Sequence, residues 1–215
     1  MITIPTNDFV GTLNDVLPFA STDAELPILQ CVRLEWDGKQ LHALATDRYR
    51  IGWATWRPGD IEPDAEAQDD LFADWGSTDD PWQVTIPLDE ARELAKVFKL
   101  PAKEGVAAPV TIDRDPSRGV VKFARSRDTG HSAITIDVPD TLMDFPDVRE
   151  LLRKTDQLKP MTGLGFTARY LADFAKVREH GPMRMRFTGA ETLVHVTIGD
   201  RFVGAIVPVR IGEVA

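Results

Sequence analysis

The side chains best able to do chemistry in this 215-residue chain are few and scattered. Four histidines, His42, His131, His180 and His195, are candidates to ligate a metal or relay a proton, but they lie far apart and none has a second ligand at metal-binding spacing. The single cysteine, Cys31, rules out an internal disulfide and a cysteine-based metal cluster, and reads as a small hydrophobe in a strand. There is no Gly-x-Ser-x-Gly, Walker loop or dinucleotide fingerprint, and Gly163 and Gly165 read as backbone at the start of a strand. Carboxylates are plentiful, yet none sits in a sequence context that would raise its pKa for acid–base work. The expectation is a non-enzymatic protein with no metal and no cofactor.

Two segments are more specific than the rest of the chain, Leu44-Ala45-Thr46-Asp47-Arg48-Tyr49-Arg50-Ile51 and Ala205-Ile206-Val207-Pro208-Val209-Arg210-Ile211. Aliphatic and aromatic walls bury the Leu and Phe anchors of a peptide, at roughly 1.5–3 kcal/mol for each one fully buried, while Arg50 and Arg210 can bond peptide carbonyls or carboxylates at the rim. A plainer reading fits the same residues: Val207-Pro208-Val209 as an edge strand, where proline is tolerated, and Thr46-Asp47 as a turn cap.

The net charge of −9 argues against nucleic acid until its distribution is read. Asp60, Glu62, Asp64, Glu66, Asp69, Asp70, Asp74, Asp79 and Asp80 crowd residues 60–80, which hold no base, and without them 25 acids face 25 bases. This acidic insertion, residues 57–82, is broken by Pro58-Gly59, Glu62-Pro63 and Asp80-Pro81, and reads as a long surface excursion. No apolar run approaches the roughly 18 residues of a membrane helix. The start, Met1-Ile2-Thr3-Ile4-Pro5, lacks the basic region of a signal peptide, so a cytoplasmic location is expected.

The elements that must position these residues repeat at intervals of roughly 80 residues. Ile2-Thr3-Ile4-Pro5, Val84-Thr85-Ile86-Pro87 and Leu164-Gly165-Phe166-Thr167 each open a unit in which an amphipathic helix and three strands follow. In the first unit, Phe9, Val10, Leu13, Val16 and Leu17 form one helical stripe from about Asn7 to Leu17, with Thr6 or Asn7 as N-cap and Pro18 as the stop. Strands are predicted over Leu29–Trp36, Gln40–Ala45 and Tyr49–Trp56, with a hairpin at Asp37-Gly38. The second unit carries Ala91, Leu94, Ala95 and Phe98 on its helix, then strands over Val110–Asp113, Val120–Ala124 and Ala133–Val138. After a connection with a short helix at Val148–Arg153, the third places Leu171, Phe174 and Ala175 on a stripe before strands Met183–Thr188, Leu193–Ile198 and Phe202–Ile211. The class is α+β, three βαβββ units that cannot each bury a core alone.

The Thr46-Asp47 segment, the terminal Val207-Pro208-Val209-Arg210 and Phe145-Pro146-Asp147, in that arrangement on the repeat, resemble the bacterial β sliding clamp, the processivity factor of DNA polymerase III. Two departures stand out: Arg48 replaces the family's glycine, and Val207 and Val209 replace its methionines. The resemblance implies a DNA-clamp-like fold in which residues 1–153 form one complete clamp domain, similar to the middle domain, and residues 154–215 half of another. It implies a groove for polymerase and clamp-loader peptides, lined by Leu29, Thr46, Tyr49, Arg50 and Ile51 on one side and Val207, Pro208, Val209 and Arg210 on the other.

In that family the helices face duplex DNA, a salt-dependent attraction without sequence preference. Arg92, Lys96, Lys99 and Lys103 on the second helix, and Arg169, Lys176 and Arg178 on the third, suit that role; Asp8 and Asp15 on the first do not. A solvated helix face accounts for the same charges. Family rings close from twelve units, so a homo-oligomeric ring of four such chains satisfies the count if the third unit completes its domain with a neighbour. The insertion holds Gln68-Asp69-Asp70-Leu71-Phe72, which resembles the peptides that clamps bind, so Gln68, Leu71 and Phe72 suggest docking on a host sliding clamp or in the chain's own groove. The leading expectation is a sliding-clamp-like processivity factor, with a phage genome as a natural home. The alternative is an adaptor or decoy that binds replication proteins without encircling DNA.

Overall fold

The computed structural model describes residues 1–58, 80–100, 109–115, 117–127, 130–138, 144–153, 164–189 and 192–209. Helix α1 (Thr6–Val16) follows the predicted stripe, and Phe9, Leu13 and Val16 are fully buried. Its N-cap is Pro5, not Thr6 or Asn7. Pro5 holds an extended backbone, its carbonyl accepts from the Phe9 amide at 2.9 Å, and Thr6 is already buried in the first turn. Pro18 stops the helix as expected, turning Leu17–Phe19 into a 3-10 turn. The second unit repeats the device, with strand β5 (Trp82–Pro87) ending in the proline that caps α2 (Leu88–Val97).

The first two units exchange their opening strands. Strand β1 (Ile2–Ile4) pairs with β6 (Val110–Asp115), the first strand after α2, with Ile2 opposite Ile112. Reciprocally, β5 pairs with β2 (Cys31–Trp36), the first strand after α1, with Trp36 opposite Trp82. One sheet is thus β1-β6-β7-β8, completed by β7 (Val120–Arg127) and β8 (Gly130–Asp137). Helices α1 and α2 pack between the sheets, and Phe9 meets Phe98 and Phe123 across the two units at 6.1 and 5.6 Å. Burying this shared apolar layer is what neither unit achieves alone.

The second sheet joins the first unit to the third. It runs β5-β2-β3-β4-β11-β10-β9, with β3 (Leu41–Thr46), β4 (Arg50–Trp56), β9 (Met183–Arg186), β10 (Val194–Ile198) and β11 (Phe202–Ile206). Every strand pair in both sheets is antiparallel. At the β4–β11 seam Gly52 lies opposite Gly204, and the rings of Phe19, Phe174 and Phe202 cluster where side chains at these positions would stand. On the other face, Phe145 and helix α3 (Val148–Arg153) bury Cys31, Leu44, Ile51 and Ala205 in a second core.

Several boundaries differ from expectation. Strand β11 stops at Ile206 rather than Ile211, because Pro208 has no amide to continue a ladder. Leu29 lies in a 3-10 turn, Pro27–Leu29, ahead of β2. Helix α4 (Ala168–Phe174) ends before Ala175, which is exposed rather than part of a buried stripe, so Lys176 and Arg178 lie beyond the helix.

Candidate peptide-binding cleft

The loop between β3 and β4 is built by its own side chains. The Asp47 carboxylate accepts from the amides of Tyr49 at 3.0 Å and Arg50 at 2.8 Å, the hydrogen-bond pattern that makes aspartate a turn residue. The Thr46 hydroxyl donates to the Arg50 carbonyl at 2.8 Å. Between them Arg48 takes a φ of +76°, the left-handed region in which glycine carries no side-chain penalty. The tight loop lifts Tyr49 out, 46% exposed, while Arg50 turns inward.

Arg50 is 8% exposed and held on two sides. Its guanidinium makes a paired contact with Asp47, Nε at 3.0 Å and Nη2 at 2.7 Å, and Nη1 donates to Asp173 at the end of α4. It also lies 4.4 Å from the centre of the Tyr170 ring. Burial is the largest single influence on Asp173 and would raise its pKa, but Lys176 and Arg50 together outweigh it and hold the carboxyl below the usual range. Tyr170 then stacks on Tyr49, rings 5.8 Å apart and 21° from parallel, and Arg169 covers it at 4.9 Å. The segment after β11 locks the arrangement. The Val207 amide donates to the Tyr49 carbonyl at 2.7 Å, and that of Val209 to Gly165 at 2.8 Å.

These contacts border a cleft of about 590 Å³ between the end of α1, the 47–50 loop and α4. Its walls carry five cations, Arg48, Arg50, Arg92, Arg169 and Lys176, against three carboxylates, Asp23, Asp47 and Asp173. With two tyrosine rings in its wall, an open mouth and an excess of positive charge in an acidic chain, it suits a short peptide with an apolar anchor and acidic neighbours.

No protein-family model and no curated protein matches the chain. Among solved structures, the DNA polymerase sliding clamp of Bacillus subtilis superposes with a TM-score of 0.68 over 98% of this chain at 18% identity. A putative DNA polymerase III beta subunit of Eubacterium rectale gives 0.71 over 97% at 10% identity. The fold is that of a sliding clamp. The clamp of Pseudomonas aeruginosa bound to griselimycin matches similarly, with a TM-score of 0.69 over 98% of the chain at 15% identity. The chain spans 64–65% of the length of these clamps.

Within this clamp fold the residues predicted for the groove divide into three groups. Tyr49 and Arg50 line the cleft. Leu29, Thr46 and Ile51 are buried at 3–4% exposure and support the loop from behind. Val207, Pro208 and Val209 run beside the loop, Pro208 buried and Val209 49% exposed, while Arg210 lies outside the described residues. Of the basic residues, Arg92, Arg169 and Lys176 line this same cleft, and Lys96 and Lys99 are exposed. Arg178 reaches α1, its amide donating to Asp15 at 2.6 Å and its guanidinium to the Asn7 carbonyl at 3.1 Å, 3.5 Å from Asp8. Lys103, and Gln68, Leu71 and Phe72 of the acidic insertion, lie outside the described residues. Sequence reading missed Tyr170 and Asp173. The available signal was compositional, since Tyr49 and Tyr170 are the only tyrosines in the chain.

Among the described residues no three His, Cys, Asp or Glu side chains gather to hold a metal, and no helix is long and apolar enough to cross a membrane. His42 has a structural place, its Nδ1 accepting from the Trp53 indole at 3.1 Å and its Nε2 lying 3.3 Å from Asp37. Burial pushes the Cys31 thiol up to about 12, consistent with an inert core side chain.

Proposed function

We propose that this chain is a clamp-like replication factor that captures a short peptide of a DNA polymerase or clamp loader in the Tyr49–Tyr170 cleft and associates with duplex DNA. The observation that carries the peptide half is the Val207 to Tyr49 hydrogen bond, which sets the two segments singled out in the sequence side by side next to the cleft. The tyrosine rings supply an apolar wall for a Leu or Phe anchor, and Arg48 and Arg169 at its rim supply charge for acidic flanks. The test is titration with a Gln-x-x-Leu-Phe peptide. Binding that weakens about tenfold in Tyr49→Ala and in Val209→Asp supports the cleft, and unchanged affinity in both places the site elsewhere.

The DNA half rests on the exposed Lys96 in the last turn of α2 and Lys99 just beyond it, with residues 1–153 taken as one complete clamp domain and 154–215 as half of another. Binding to duplex DNA that falls steeply with added salt supports it. One observation favours a second reading, an adaptor that binds replication proteins without encircling DNA. Helix α1 brings Asp8 and Asp15 and no base to the set of helices. Peptide binding with no retention of duplex DNA at low salt selects the adaptor.

A further inference from the structure

The third unit exposes the face that the first two bury against each other. Helix α1 buries eight of its eleven residues, whereas α4 buries one of seven, Phe174. Strands β2 and β6, each the first after its helix, are paired on both edges, to β5 and β3 and to β1 and β7. Among the described residues the equivalent β9 pairs only with β10 and ends the seven-stranded sheet. Around this edge apolar side chains stand open: Met183 is 45% and Phe187 37% exposed. Behind them a hollow of about 370 Å³ reaches the Phe174 ring, its wall shared between the apolar Leu171, Val177 and Met183 and the polar Glu179 and His180. A surface of this make-up on an acidic chain marks an interface.

We propose that a second copy of this chain covers that face, the two third units pairing about a twofold axis to make one composite clamp domain. The first and second units supply the template, because their contact is reciprocal: each gives its opening strand to the other's first post-helix strand. Two identical third units satisfy the same geometry with true symmetry, in an isologous interface. The uncharged opening segment Leu164-Gly165-Phe166-Thr167 of each copy lies along β9 of the other, so Arg184 and Arg186 on β9 meet no like charge in that pairing. Helix α4 meets its own copy over Leu171 and Ala175, as α1 meets α2 over Phe9 and Phe98. The inference rests on the fold and not on peptide or DNA binding, and the peptide cleft lies within one chain, so the two can fail separately.

The β5–β2 register sets Pro87, the residue before α2, opposite Cys31, the first of β2. Carried over from β5–β2 alone, that register puts Thr167 of one copy opposite Met183 of the other, within disulfide reach, while the β1–β6 pair, with Ile4 opposite Val110, is offset from it by one residue. The experiment uses the full chain, with mass measured in solution by sedimentation. Wild type is expected as dimers or multiples of them. The Leu171→Asp, Met183→Asp double variant is expected to remain folded by circular dichroism and to dimerise at least a hundredfold more weakly. The Thr167→Cys, Met183→Cys double variant is expected to form a covalent dimer on mild oxidation, neither single variant doing so, since buried Cys31 does not compete. Ala133→Asp on β8, an edge strand of the other sheet, is expected to leave the dimer intact. A monomeric wild type, a dimer that survives Leu171→Asp with Met183→Asp, or one dissolved instead by Ala133→Asp overturns the proposal.

Discussion

Tyr49 and Tyr170, carried by the first and third units, stack with their ring centres 5.8 Å apart and their planes 21° from parallel. Each ring is backed by an arginine, Arg48 at 5.8 Å from Tyr49 and Arg50 at 4.4 Å from Tyr170. The pair is therefore one surface, and removing either ring disturbs the other. In peptide titrations Tyr49→Ala and Tyr170→Ala are each expected to cost about 1–2 kcal/mol, and the double variant clearly less than their sum. Tyr170→Phe keeps the ring and is expected to stay near wild type. Additive losses would mean that the two rings act on separate parts of the peptide.

Asp173 ties α4 to the loop through Arg50, so its neutral replacement leaves a buried guanidinium with only Asp47. Asp173→Asn is expected to lower stability by about 1–3 kcal/mol at pH 7, read by chemical denaturation. The folded pKa of Asp173 lies below its ordinary 3.8, so its contribution is present above that value and lost as pH falls through the folded pKa. The variant should accordingly show a flatter loss of stability below about pH 4.

The sequence made the local architecture legible because its signals are local. Phe9, Leu13 and Val16 mark α1 by spacing, and Asp37-Gly38 marks a hairpin in which the Asp37 carboxylate does receive the amides of Lys39 and Gln40 at 2.8 and 2.7 Å. The β4–β11 seam has no such signal. Its partners lie about 150 residues apart in the chain, and what selects them is the absence of side chains at Gly52 and Gly204, which a periodicity cannot register. Tyr170 escaped for the same reason. On its helix it is one half-buried residue, and it becomes part of a cleft only when that seam brings α4 against the 47–50 loop. The basic residues beyond α2 and α4 read as helix faces, but the helices end at Val97 and Phe174; a local contact three residues back holds Lys176 to Asp173, and a tertiary contact ties Arg178 to α1.

Arg48 occupies a left-handed position at φ +76°, and the identity of its replacement decides the outcome. Arg48→Gly relieves the strain while enlarging the freedom of the unfolded chain, so stability is expected within about 1 kcal/mol of wild type. Arg48→Val puts a branched side chain into the same backbone and is expected to cost about 1–3 kcal/mol. Equal thermal midpoints for the two variants would show that the loop adopts another conformation.

His42 gives the fold an acid-sensitive point. Its Nδ1 already accepts the Trp53 indole proton, and burial, the largest influence, holds its pKa below 6.5 against the opposing pull of Asp37. A base whose folded pKa is lowered contributes stability above its unfolded value and loses it as pH falls through the folded one. Denaturation midpoints of wild type are expected to decline between pH 7 and 5, and those of His42→Gln to decline less. Parallel curves would assign the decline to other groups.

The seam that assembles the cleft can be tested directly at Gly204. A Cβ there would lie 2.6 Å from the Ile51 carbonyl oxygen and 2.8 Å from the Phe174 ring. The ring can shift, but the carbonyl belongs to β4, which cannot retreat without opening the ladder that holds Ala205 opposite Ile51. Gly204→Ala is therefore expected to destabilise by about 1–3 kcal/mol, as overpacking does. It should also weaken peptide binding, because Tyr170 is carried by the element displaced. Gly130→Ala, where a Cβ meets nothing within 4 Å, serves as the control and is expected to change stability by less than about 0.5 kcal/mol. A Gly204→Ala protein that unfolds like wild type but has lost peptide affinity would show that the seam positions the cleft without contributing to global stability.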